Sequence, residues 1–426
     1  MIVDFTAPDR GTAPLTWGQS AIWDAIGKTA PDDHYFNFGR ILAVPGTRTA
    51  DQIATALAAL VARHGALRTR LDLDGPQPLQ RLADRGGLPV LLTAEDPDTV
   101  LAALTADRYD YAADWPLRVA LVTRGQWISH VVLAFCHMAT DGLGSEIAVR
   151  DLRMLILRGA ASLKAAAPAP SPLDLAHWQA GPDGRRTARR AAELWEDFPR
   201  QAMFDRFSED QAQPPVWRAQ LTSPALGLAV RAVAARHRTS TSTVLLAATA
   251  ALVGRHTGRG TCAVLPIVNN RFRRDTTRIV STLSQEGLFA LDVDRDFGAL
   301  LREAEPATLR AYRSAFHDPL DRAAGDWVQP RCCFNDMRFA DPGPAPCPAE
   351  DIARALPETT LSWPLSQEKL NCRFCVHVSG SDSGSLEVSV TADTRYLPRP
   401  GMERILRDME SLLVAEAGAG PQPPLG

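Results

Sequence analysis

VVLAFCHMATDGLGSEI, residues 131–147, runs from an apolar segment through one histidine to an aspartate and a glycine. Trp127 to Phe135 is a nearly continuous apolar run of strand length, and runs of that kind are buried on both faces. Asp141 and Gly142 then favour a turn. Beyond them, LGSEIAVRDLRMLIL places Leu143, Ile147, Ala148, Leu152 and Leu155 at helical spacing. His137 therefore lies at a strand end before a loop and a helix, where a rigid scaffold often holds catalytic groups. An imidazole with a pKa near ~6.5 can accept a proton at neutral pH. The same placement also suits a structural histidine, a buried strand residue that happens to precede a turn, so the stretch alone leaves both readings open.

Outward from this stretch, the pattern is mixed. PLRVALVTRG and WISHVVLAFCH read as neighbouring strands joined by a turn at Gly125, and DQIATALAALVARHGALRTRL opens with a helical period. STSTVLLAATAALVGRHTG reads as a strongly apolar helix, followed by TCAVLPIVNNR as a buried strand. SLEVSVTADTRYL alternates like a half-exposed strand, and GMERILRDMESLLVAEA is an amphipathic closing helix. The Pro-rich stretches at 163–174 and 340–351 read as a connector and a surface loop, and EAGAGPQPPLG as a disordered tail. Helices and strands in both halves, in a chain of 426 residues, predict an α/β protein of two similar lobes, cut at 1–175 and 176–426.

Composition excludes several classes. With 45% hydrophobic and 22% charged residues the chain is an ordinary globular one, and a net charge of −3 argues against bulk electrostatic binding to nucleic acid or membrane. Of the 46 basic residues only Lys28, Lys164 and Lys369 are lysines, a bias read as genome composition. No secretory leader and no run of eighteen apolar residues is visible, so a cytoplasmic protein is expected. The seven cysteines include Cys332–Cys333 and the pair Cys372 and Cys375, without a second pair at metal-type spacing. Reduced thiols and no metal are expected.

FCHMATDG resembles the HHxxxDG motif of nonribosomal-peptide condensation domains, within the chloramphenicol-acetyltransferase-like superfamily. Four more segments resemble that family in order. PLTWGQSAIWDAI (14–26) is similar to its opening motif, with Gln19 and Trp23 in matching places. RHGALRTRL (63–71) is close to RHExLRTxF, departing at Gly65, Arg70 and Leu71, and LDLAHW (173–178) is similar to YxDFAxW. LPIVNNR (265–271), followed by IVSTLSQEGLFALDV, resembles a strand ending in Gly-Arg and then GxFVNT, although the FVN core is missing. The resemblance spans about residues 14 to 415 and implies two acetyltransferase-like lobes arranged as a V-shaped pseudo-dimer with a tunnel between them.

On that resemblance His137 is the catalytic residue, a general base or hydrogen-bond acceptor for an amine or hydroxyl attacking a thioester. Asp141 is structural support and pairs with Arg271, while Gly142 lets the backbone approach a substrate arm and is expected to have φ > 0. The motif's first histidine is Cys136 here; strand alternation would turn it away from His137, as a packing residue. Asn335 and Ser366 are candidate contacts to substrate or oxyanion, with loop capping as the competing reading. His64 is expected to cap or pack a helix end, and His317 to sit in a turn.

The resemblance implies a stand-alone, monomeric acyltransferase of nonribosomal-peptide (antibiotic) biosynthesis. It would join a carrier-bound acyl or aminoacyl thioester to an amine or alcohol. Acyl or peptidyl carrier proteins are the partners in trans and supply the phosphopantetheine arm; the chain itself binds no cofactor. Two other readings compete: an acyl-CoA-dependent acyltransferase of the same superfamily, against which no DFGWG motif is found, and a catalytically silent docking domain. No EGHGRE motif suggests epimerisation, and residues 136–142 lack the DxxxxD of heterocyclisation.

Overall fold

The computed structural model describes residues 1–159, 169–196, 211–324, 332–338, 341–380 and 385–418. The connector at 163–168, residue 340 of the Pro-rich loop and the tail from 419 lie outside the described residues. The chain divides into two compact units. The first comprises residues 1–188, 269–285 and 318–320; the second comprises 189–268, 286–317 and 321–426.

The first unit holds β1 (Ile2–Thr6), β2 (Gly11–Pro14), α1 (Trp17–Thr29), β3 (Phe38–Ala43), α2 (Ala50–Arg63), β4 (Thr69–Asp72), β5 (Leu79–Leu82) and β6 (Arg85–Thr93). After these come α3 (Pro97–Ala106), β7 (Leu117–Arg124), β8 (Trp127–Phe135), α4 (Gly142–Arg158), α5 (Pro172–Ala180) and the start of α6 (Pro182–Glu196). Its main sheet has the order β1-β6-β7-β8-β3, and β2-β5-β4 form a small second sheet. The β7–β8 hairpin turns at Gly125, whose φ of 64° suits a residue without a Cβ. β8 lies between β7 and β3, and both its faces are buried. Val131, Leu133 and Phe135 pack with Ile53, Leu57 and Leu60 of α2 and with Leu152 and Leu155 of α4. Val132 packs with Val100 of α3 on the other face. Burial on two sides accounts for the unbroken apolar run.

α2 stops at Arg63 with His64 as its C-cap, and the chain passes through a short 3-10 turn into β4, so the helical period does not extend to Leu71. His64 forms a buried contact, Nε2 to Asp151 Oδ2 at 3.1 Å, that ties α2 to α4.

The second unit contains β9 (Val216–Ser223), α7 (Pro224–His237), α8 (Thr241–Thr257), β10 (Thr261–Val268), β11 (Gln285–Glu286, at the unit boundary), β12 (Phe289–Asp292) and α9 (Phe297–Ser314). The short α10 (Pro319–Ala324) leads on to β13 (Cys332–Asp336), α11 (Ala349–Ala355), β14 (Thr360–Gln367), β15 (Phe374–Gly380), β16 (Leu386–Asp393) and α12 (Arg399–Gly418). The sheet order is β11-β10-β13-β15-β16-β9-β14, with β12 beside β10. α8 is buried from Val244 to Gly254, which explains its lack of a polar face. It is capped by Ser240 and closed by Gly258 in the left-handed region. β10 ends at Val268, three residues short of the expected strand, because Asn270 adopts a φ of +54°.

Cys333 and Cys375 face each other on parallel strands, with Cα atoms 4.5 Å apart, and are joined by a disulfide. Cys372 Sγ lies 2.8 Å from Cys375 Sγ. The expectation of reduced thiols is thus corrected for this pair: strand pairing brings together cysteines that are 42 residues apart in sequence.

Candidate active site

β8 ends at Phe135, and residues 136–139 form a turn in which the Ala139 N–H donates to the Cys136 carbonyl at 2.9 Å. His137 thus belongs to a turn, and strand alternation is not what separates it from Cys136. Cys136 packs with Ile26, Leu71, Tyr109 and Met138, and burial pushes its thiol up to about 12, so it is no nucleophile at neutral pH. The His137 ring meets Phe36 and Phe38 edge-on, with centroids 6.3 and 5.5 Å away. Its Nδ1 is buried and makes no well-formed hydrogen bond. Burial lowers the ring's pKa, against weaker opposing pulls from its own backbone and from the Asp141 carboxylate. The imidazole is therefore neutral at neutral pH.

Asp141 is the N-cap of α4: its Oδ1 accepts from Gly144 N at 2.8 Å. Arg271 grips the same carboxylate in a bidentate pair, Nη1 to Oδ2 at 2.9 Å and Nη2 to Oδ1 at 2.8 Å. Oδ2 also accepts from the backbone N–H groups of Leu283 and Ser284 and from Ser284 Oγ, each at 3.0 Å. Burial alone would raise the pKa of Asp141. Arg271 and the backbone donors outweigh burial and hold it below the ordinary value. This carboxylate stays ionised, with its lone pairs occupied, and cannot serve as a proton carrier.

Arg271 is itself held by the carbonyl of Ser281 at 2.9 Å and by that of Asn269 at 3.2 Å. Asn270 donates from Nδ2 to the Leu283 carbonyl at 3.0 Å, and Thr282 Oγ1 donates to the carbonyl of His137. Residues 269–284 therefore tie the histidine turn to the start of α4.

α1 braces the turn from another side. Thr16 and Gln19 form a capping box, and Gln19 Nε2 also donates to the Met138 carbonyl at 3.3 Å. Gly18 permits close approach: a Cβ there would lie 2.3 Å from the Thr282 carbonyl oxygen. Trp17 N donates to Gln179 Oε1 of α5 at 3.0 Å. The expectation for Gly142 is corrected. It opens α4 and is not among the glycines with positive φ. The tight position is Gly144, where a Cβ would lie 2.2 Å from Thr140 Oγ1 and 3.0 Å from Arg271 Nη2.

Asn335 and Ser366 both lie in the second unit, on β13 and on the edge strand β14. Asn335 stands opposite His377, and Ser366 opposite Trp217. Traced through β15, β16 and β9, these pairings put the two side chains on opposite faces of one sheet, so they do not converge on one oxyanion. His317 is buried in a turn, with Nδ1 3.1 Å from the Ser314 carbonyl.

The residues 9–283 match the family model for the condensation domain. The chain belongs to the condensation-domain family. Among curated relatives, the condensation domain described here is 27% identical over 327 residues to the phosphinothricin tripeptide synthetase PhsC of Streptomyces viridochromogenes, covering 71% of this chain and 30% of that protein. It is 30% identical over 181 residues to the AMB antimetabolite synthetase AmbB of Pseudomonas aeruginosa, covering 39% of this chain and 14% of that protein. The chain thus spans less than a third of the length of these relatives. Its fold is similar to a condensation domain mediating chain release from the enacyloxin polyketide synthase, with a TM-score of 0.75, 19% identity and coverage of 99% of this chain and 85% of that one. It is also similar to the epimerization domain of the third module of tyrocidine synthetase B, with a TM-score of 0.72, 15% identity and coverage of 97% of each chain. Likeness at these identities shows the acetyltransferase-like α/β fold alone. No helix among the described residues is long and apolar enough to cross a membrane.

Sequence reasoning missed the aromatic neighbours Phe36 and Phe38 and the donors of Leu283, Ser284 and Thr282. The last three fall in the segment that departs from the family motif. Two of them act wholly or partly through backbone N–H groups, which any residue type supplies.

Proposed function

We propose that this condensation domain is an acyltransferase that joins a carrier-bound acyl or aminoacyl thioester to an amine or alcohol acceptor. The observation that carries the reading is a neutral imidazole on a turn fixed from behind by the Asp141–Arg271 pair. His137 accepts a hydrogen bond from the nucleophile's N–H or O–H. As nitrogen or oxygen attacks the thioester carbonyl, that proton passes to the ring. The tetrahedral adduct collapses, the carbon–sulfur bond breaks, and the proton returns to the leaving thiolate. The phosphopantetheine arm would come from a carrier protein in trans, so the domain itself has only to position the groups and poise the base.

The test is a panel of acyl donors, each loaded either on a carrier protein or on coenzyme A, incubated with amine and alcohol acceptors and read by mass. Product from carrier-loaded donors is expected. Product from coenzyme A donors alone would replace the carrier with a free thioester. No product from any donor would favour a silent docking domain.

A further inference from the structure

The second unit's sheet has two chemically different faces. Phe334, Val376, Val390, Ala219 and Leu221 are buried in the core that includes residues of α7, α8 and α12. On the opposite face, cross-strand pairing lines up Asn335, His377, Ser389 and Gln220 across β13, β15, β16 and β9. One step along the strands, Cys375, Thr391 and Arg218 form the adjacent row.

These polar groups are largely unspent. Arg218 is half-buried, and its one hydrogen bond among the described residues runs from Nε to Thr391 Oγ1 at 2.7 Å. That leaves both Nη atoms of the fork unused, and no carboxylate among the described residues lies within 4.0 Å of the guanidinium. The side chains of Asn335, His377, Ser389 and Gln220 make no hydrogen bond among the described residues, and His377 Nδ1 is buried without a partner. Two carboxylates on this face are engaged elsewhere: Asp393 with Arg395, and Glu387 with Ser379 Oγ. Burial, helped by the charge of Arg218, pushes His377 down to about 3, so its ring is neutral and offers one N–H. Within this group His377 Nδ1 is shut off from water without a partner, while the half-buried fork of Arg218 and the amides of Asn335 and Gln220 remain open to an incoming group. A buried polar atom of that kind ordinarily has a partner.

We infer that the polar face of β9, β13, β15 and β16 is an oxyanion site, in which the free end of Arg218 takes a carboxylate or phosphate and Gln220 and His377 donate beside it. A planar fork with two free N–H edges matches a carboxylate bidentately, and a phosphate offers the same pair of oxygens. The source is either an acid group on a small-molecule substrate or a phosphate such as that of a pantetheine arm. The site stands independently of His137, because binding to it is read without turnover.

The test is calorimetry on the full chain with benzoate, benzamide and inorganic phosphate as probes, using wild type, Arg218→Gln, Arg218→Lys and Gln220→Leu. Benzoate or phosphate should bind at millimolar concentrations and benzamide should not. Arg218→Gln should weaken binding about tenfold or more, the loss of a charge-assisted pair, with Arg218→Lys intermediate. Benzoate alone binding assigns the site to an acid-bearing substrate, and phosphate alone to a phosphate. If Arg218→Gln does not fold, Gln220→Leu decides, and it should weaken the bound anion severalfold. Failure of both anions to bind, equal binding of benzamide, or affinity unchanged in the folded variants would overturn the proposal.

Discussion

Asp141→Ala will destabilise the first unit by about 3–5 kcal/mol, the cost of leaving one member of a buried ion pair without the other. The magnitude follows from what the carboxylate touches. Both its oxygens are buried, and it satisfies two nitrogens of Arg271, three backbone N–H groups and one hydroxyl. An alanine leaves the guanidinium charged and buried, and removes the N-cap of α4 as well. The effect has a sign in pH. The folded pKa of Asp141 lies below its ordinary value of 3.8, so the stabilisation is fully present above that value and is lost as pH falls through the folded pKa. Denaturant melts should therefore show the largest gap between wild type and variant at neutral pH, narrowing in strong acid. A variant as stable as wild type at neutral pH would mean that this pair does not hold the turn.

His137→Ala will leave the fold intact and reduce turnover by about 10²–10⁴-fold, the usual contribution of a positioned general base. Stability should change by no more than about 1 kcal/mol, since Nδ1 has no well-formed partner and the alanine orphans no other buried group. Residual product is expected, because holding donor and acceptor together supplies part of the acceleration without any base. The two variants separate the roles. Removing the aspartate should cost stability and, through the turn, activity; removing the histidine should cost activity alone.

The extent to which this was legible in the sequence differs by element. β8 could be read because burial on both faces writes an unbroken apolar run, and α8 because burial on all sides does the same. α4 could be read from the spacing of Leu143, Ile147, Ala148, Leu152 and Leu155. The ends were less readable. β10 stops at Val268 because Asn270 goes left-handed, and His137 lies in a turn because the chain bends directly after Phe135. The partner of Asp141 came from a family resemblance, since nothing in the residue pattern links positions 130 apart. The donors at Leu283 and Ser284 were invisible because a backbone N–H has no residue signature. The polar face of the second sheet was hidden for a related reason: alternation shows in each strand, but the register among β9, β13, β15 and β16 is set by tertiary pairing.

The most direct measurement is the pH dependence of kcat/KM for wild type and His137→Ala with the same donor and acceptor. Burial holds the imidazole below its ordinary 6.5, and on the proposed reading the neutral ring is the working form. The wild-type rate should be level through neutral pH and fall only below 6.5, with that acid limb absent from the variant's residual rate. An acid limb centred above 6.5, or the same limb in both proteins, would contradict a neutral His137 as the base.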